Sequence, residues 1–97
     1  MTWIRTIPPD QADPELRRRY ENLYGLYPPE YGIDVPAVVN PADGSSDSIV
    51  ATHSLIPAAM EHAMSAFAVL MAPDLPLSRR QQEMIATVVS AMNRCVY

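Results

Sequence analysis

The stretch from Ser78 to Tyr97, SRRQQEMIATVVSAMNRCVY, limits the fold more than any other part of the chain. Ser78 can accept a hydrogen bond from the free N–H groups of a first helical turn, and Gln81, three residues on, can reach back to Ser78. That arrangement predicts a helix starting at Ser78. No residue from Met84 to Met92 is charged. The large side chains Met84, Ile85, Val88, Val89 and Met92 recur at helical spacing, and Ala86, Thr87, Ser90 and Ala91 fill the other side with small groups. A helix with no charged face is expected at the centre of a fold, packed all round. Glu83 is the last acid before the uncharged run, and Cys95, the only thiol in the chain, stands near its far end.

Prolines divide the rest of the chain. Met1 to Pro9 reads as an extended arm, because Pro8-Pro9 excludes helix, with Trp3, Ile4 and Ile7 available to dock on a neighbouring surface. Asp13-Pro14 starts a helix: Asp can cap, and Pro at the first helical position loses no hydrogen bond. Leu16, Tyr20, Leu23, Tyr24 and Tyr27 then line one face of about three turns, up to Pro28-Pro29. The apolar Val35-Pro36-Ala37-Val38-Val39 suits a single helical turn or an extended segment, and Pro41 to Ser46 is a loop by its turn chemistry. Asp47 or Ser46 could cap a short helix running through His53. Pro57 fits the first turn of a further helix, whose apolar stripe is Ala59, Met60, Ala63, Met64, Phe67, Leu70 and Met71, stopped by Pro73 and Pro76. No strand-like alternation or repeat interrupts this series, so the expected architecture is all-α.

At 97 residues the chain is expected to be a single domain, 1–97, of marginal stability unless it oligomerises. The net charge of −4 lacks the electrostatic footprint of a nucleic-acid binder. The one basic cluster, Arg17-Arg18-Arg19, lies beside Glu15 and Glu21 and reads as a solvated, salt-bridged helix face. The N-terminus has no charged segment followed by an apolar run and cleavage site. The most apolar window, Leu55 to Leu77, is broken by Pro57, Glu61, His62, Pro73, Asp74 and Pro76. Neither export nor a membrane span is therefore expected. A lone cysteine cannot form an internal disulfide and fits a reducing, cytoplasmic setting. His53 and His62 have no acidic or thiol partner at a ligand spacing, so no metal site and no cofactor is expected.

The order of the pieces carries a resemblance. An arm with a proline pair, a Pro-started helix, a Val-Pro turn, a Met- and Ala-rich helix, then Leu-Ser-Arg-Arg-Gln-Gln-Glu-Met-Ile-Ala and finally Cys-Val-Tyr resembles the N-terminal half of the alkyl hydroperoxidase D and carboxymuconolactone decarboxylase family. The likeness is strongest to its peroxidase-related branch. The family motif is Glu, eleven residues, Cys, two residues, Cys, three residues, His. Glu83 and Cys95 stand at the first of these separations, and Val96-Tyr97 brings the sequence to one residue before the second cysteine.

The resemblance implies a helical bundle and a thiol-dependent reduction of hydroperoxides. Cys95 would lie at the start of a helix, where unpaired N–H groups favour a thiolate. The second cysteine would attack the peroxide and become a sulfenic acid; Cys95 would resolve it as a disulfide, reduced in turn by a thiol-donating partner. Glu83 would act in proton transfer. The second cysteine and the histidine are absent from these 97 residues, so as written they are not expected to complete the cycle. Two other readings stand beside this one. The first is a cofactor-free decarboxylase of the same family, against which Cys95 argues. The second is a catalytically silent helical module that self-associates through its Met and Tyr faces, as family members do in trimers or hexamers. The 97 residues alone are expected to be oligomeric or poorly soluble.

Overall fold

The computed structural model describes residues 3–32, 36, 41 and 48–95. Among them the regular structure is entirely helical: α1 (Pro14–Tyr24), α2 (Pro57–Leu70) and α3 (Arg79–Met92), with short 3₁₀ turns at Pro9–Gln11, Pro29–Gly32 and Ala51–His53. The all-α expectation holds. The Val-Pro segment and the Asp/Gly/Ser loop, apart from Pro36 and Pro41, lie outside the described residues, as do the candidate caps Ser46 and Asp47.

Helix starts follow local chemistry. Asp13 Oδ1 accepts from the Leu16 N–H at 2.8 Å, and Pro14 occupies the first helical position, where its missing N–H costs nothing. Pro57 begins α2 in the same way, without a side-chain cap. Ser78 and Gln81 form the capping box that opens α3, with the Ser78 N–H donating to Gln81 Oε1 at 2.9 Å and Ser78 Oγ accepting from the Gln81 N–H at 3.3 Å. The Ala51–His53 turn starts at least three residues later than a cap at Asp47 or Ser46 would set it, with Val50 at the N-cap position and Ser48 Oγ accepting from the Ala51 N–H. The first helix is shorter than the tyrosine spacing suggests. It ends at Tyr24, and i→i+3 bonds carry the chain through Leu26 and Tyr27 before the proline pair.

The core lies between α1 and α2. Leu16, Tyr20 and Leu23 of α1 meet Met60 of α2, with Ala12 and Val50 closing the ends and Ile7, Tyr27 and Met64 packed around them. Full burial of each large apolar side chain contributes about 1.5–3 kcal/mol. The N-terminal arm docks at Ile7. The Tyr20 hydroxyl donates to the Ile7 carbonyl at 2.7 Å, and the Ile7 N–H donates to Ser54 Oγ at 2.8 Å. Trp3 does not dock, and Ile4 is about half exposed. The arginine run is not simply a solvated face: Arg19 spans Glu15 on its own helix and Glu61 of α2, the latter at 2.6 Å, while Asn22 donates to the other Glu61 oxygen.

Helix α3 is not the central helix its composition suggested. Met84, Ile85, Val88, Val89 and Met92 are each between 52% and 79% exposed. The side turned inward carries Gln82, buried, with Arg79 and Ala86 half-buried. Gln82 Nε2 donates to the carbonyls of Leu70 and Ala72, so a side chain of α3 caps the carboxyl end of α2. Absence of charge made burial permissible for the large face without supplying anything to cover it. The apolar stripe expected on α2 is likewise only partly internal: Met60 and Met71 are buried, whereas Phe67 and Leu70 remain exposed.

Candidate functional site

Glu83 stands in the second turn of α3, and its surroundings are assembled from the two segments that α3 abuts. The capping box fixes where α3 begins and thereby places Arg79 at its first position. Arg79 Nη2 pairs with Glu30 Oε1 at 3.0 Å, and its guanidinium carbon lies 5.2 Å from the centre of the Tyr31 ring. Arg79 Nη1 is 3.4 Å from Glu83 Oε1 and donates to the Tyr31 hydroxyl at 3.4 Å. The Tyr31 hydroxyl in turn donates to Glu83 Oε1 at 3.2 Å. Two acids, one guanidinium and one phenol thus form a closed cluster between the Pro29–Gly32 turn and the start of α3.

Aromatic rings connect this cluster to the core. The Tyr31 ring stacks on Phe67 at 6.2 Å and meets the edge of Tyr27 at 6.1 Å; Tyr27 meets Tyr24 edge-on at 5.7 Å, and Tyr24 stacks on Tyr20 at 5.8 Å. Burial pushes the Tyr31 hydroxyl above its ordinary titration range, with the charge of Glu83 adding to the effect and Arg79 opposing it. Glu30 is held below the ordinary carboxyl range by its own backbone N–H first and by Arg79 second.

Cys95 lies at the other end of α3. The helix closes in a Schellman arrangement: the Cys95 N–H donates to the Ser90 carbonyl at 3.0 Å and the Arg94 N–H to that of Ala91 at 3.1 Å, with Arg94 at φ 54°. The thiol is exposed. Roughly 14 Å of helix axis separates Glu83 from the last helical residue, Met92, so the structure does not bring the carboxylate and this thiol together. A helix start at Cys95 falls on Val96 and Tyr97, outside the described residues.

His53 is exposed and its Nδ1 lies 2.9 Å from the Ile49 carbonyl; His62 is exposed on α2. Among the described residues no three His, Cys, Asp or Glu side chains are placed to hold a metal ion. An open depression of about 480 Å³ is lined by Pro9, Asp10, Arg17, Tyr20, Glu21 and Tyr24, none of them part of the Glu83 cluster. Among the described residues no helix is long and apolar enough to cross a membrane.

The sequence reading singled out Glu83 and Cys95 but missed Tyr31, Arg79 and Glu30. Arg79–Glu83 is an i,i+4 pair and was available from spacing. Tyr31 lies 52 residues from Glu83, and no local pattern marks it.

The helices, the core between the first two of them, and the polar cluster at the start of the third define an all-α protein. Scans against family models, curated proteins and solved structures return no match for this chain.

Proposed function

We propose that the chain belongs to a thiol-dependent hydroperoxide reductase, with Glu83 in proton transfer and Cys95 as the resolving thiol. The observation that supports this reading most is the pair of environments at the ends of α3: a carboxylate fixed by Tyr31 and Arg79 at one end and an exposed thiol at the other, at the Glu-x11-Cys spacing. Glu83 is too far from Cys95 to serve it directly. It serves a second, attacking thiol, which these 97 residues do not include. That thiol yields its proton to Glu83 and attacks the hydroperoxide; an S–O bond forms, the O–O bond breaks, and the departing alkoxide takes the proton back as an alcohol. Cys95 then displaces water from the sulfenic acid, and a dithiol donor reduces the resulting disulfide. A lone free thiol fits a reducing compartment such as the cytoplasm.

The test is hydroperoxide consumption by the protein from its native source, with a dithiol as donor. Cys95→Ser is expected to abolish the internal disulfide, so that one equivalent of hydroperoxide without donor leaves a trappable sulfenic acid in its place, and Glu83→Gln to slow hydroperoxide consumption by about two orders of magnitude. A disulfide that still forms within the Cys95→Ser protein would sink the assignment. The same assay with a lactone acid as substrate addresses the decarboxylase alternative, whose activity Cys95→Ser leaves intact.

A second reading is favoured by the exposed face of α3: self-association of the chain through Met84, Ile85, Val88, Val89 and Met92. Five half-exposed side chains offer on the order of 300 Å² per copy. That is well short of the ~800 Å² per partner of a standard interface. A pairing through α3 alone is therefore weak and concentration-dependent, and a trimer or hexamer recruits further surfaces. Sedimentation of wild type and Val88→Asp distinguishes the cases; identical monomers at every concentration would exclude it.

A further inference from the structure

Two groups from separate parts of the chain converge on one oxygen of Glu83. The Tyr31 hydroxyl and Arg79 Nη1 both approach Oε1, at 3.2 and 3.4 Å, while among the described residues no side-chain hydrogen bond is made to Oε2. Neither partner is loosely held. The Tyr31 N–H donates to the Pro28 carbonyl, its ring is stacked on Phe67 at an interplanar angle of 16°, and Tyr27 meets it edge-on. Arg79 is tied to Glu30 at 3.0 Å and sits at a helix start that the capping box fixes. A half-exposed carboxylate on a free helix surface rotates among several rotamers; this one is gripped on a single oxygen by parts of the chain about fifty residues apart.

We propose that Tyr31 and Arg79 are the positioning residues of Glu83: they fix Oε1 and leave Oε2 as the atom that exchanges the proton. The reaction itself rests on the redox reading above. In that reaction Oε2 takes the proton from the attacking thiol, and returns it to the alkoxide once the S–O bond has formed and the O–O bond has broken. Thiol and hydroperoxide become sulfenic acid and alcohol, and Glu83 ends as it began. Tyr31 and Arg79 touch neither reacting atom. Their effect is on the fraction of time Oε2 points where the thiol arrives, which belongs to the rate of the chemical step rather than to substrate binding.

Tyr31→Phe isolates the hydroxyl, since it keeps the ring stack on Phe67 and the face beneath Arg79. Two measurements on the protein from its native source test the assignment: steady-state reduction of tert-butyl hydroperoxide with dithiothreitol, and the ¹³C resonance of the Glu83 side-chain carboxyl. In Tyr31→Phe, kcat is expected to fall about threefold to tenfold with KM for the hydroperoxide unchanged. Arg79→Gln is expected to do the same and Arg79→Lys to recover part of the loss. The Glu83 carboxyl resonance shifts in Tyr31→Phe, with the far-UV circular dichroism unaltered. An unchanged kcat, a change confined to KM, or a carboxyl resonance that does not move overturns the proposal. A wild type that consumes no hydroperoxide overturns it together with the redox reading, and the resonance then shows whether the grip on Oε1 failed as well.

Discussion

Tyr20 is joined at both ends: its ring is buried in the core against Leu16, Leu23 and Met60, and its hydroxyl holds the N-terminal arm through the Ile7 carbonyl. Tyr20→Phe keeps the packing and removes that bond, leaving a part-buried carbonyl unpaired, so a loss of about 1–2 kcal/mol in chemical denaturation is expected. Arg94 is an opposite case. It occupies the left-handed position that ends α3, where a side chain costs roughly 1 kcal/mol and glycine nothing. Arg94→Gly is therefore expected to raise the thermal midpoint, and an unchanged or lowered midpoint would show that the arginine side chain makes up the cost. At this scale the sequence is readable where a contact is local. Asp13 and Ser78 cap helices three residues away, and both were evident from spacing alone. The Tyr31–Glu83 bond joins residues far apart in the chain and left no trace in either neighbourhood.

Among the elements, α1 and α2 form the packed pair, and α3 is attached through polar groups in its first turns. Gln82 is the buried member of that attachment. Its amide satisfies two carbonyls beyond the last hydrogen-bonded turn of α2, and its own helix depends on the same contact for its placement. Gln82→Leu strands those carbonyls. An increase of at least tenfold in amide hydrogen exchange across α3, with exchange in α1 nearly unaffected, is the expected outcome. Uniform acceleration in both helices would mean that the three elements open as one unit. The start of α3 was legible from its capping box; its position was not. The uncharged run from Met84 to Met92 records which side chains tolerate burial, and that property is shared by a helix inside a bundle and by a helix awaiting one. What decides between them is the geometry of the Gln82 amide, and a glutamine inside Arg-Arg-Gln-Gln-Glu looks like any other polar residue of a first turn.

For the whole molecule, the link between α1 and α2 through Glu61 makes stability depend on pH. Glu61 titrates below its ordinary value of 4.5, because the Asn22 amide and then Arg19 favour the carboxylate, with burial opposing them. A carboxyl whose folded-state pKa is depressed contributes stability that is complete above the unfolded value and is lost as pH falls through the folded one. Denaturation midpoints are expected to decline as the pH drops below about 4.5, and Glu61→Gln to flatten that decline while lowering the plateau above it. A decline of the same steepness in Glu61→Gln would assign the effect to other carboxylates, Glu30 foremost, since it is depressed in the same sense. The fold class was fully legible at this scale, because proline positions and helical periodicity are properties of the chain as a string. The pairing of Arg19 with Glu61 was not, since Glu15 and Glu21 stood nearer in sequence.

The chain has a single tryptophan, Trp3, and it stands completely in solvent on the N-terminal arm that Ile7 ties to the core. Its fluorescence in the folded monomer should already resemble that of a free indole, so unfolding in urea barely changes it while the circular dichroism collapses. Contact does the reverse: any surface that closes over the arm moves the indole out of water and shifts its emission to the blue with the helices unaltered. The protein thus carries its own dye, blind to its folding and responsive to its company.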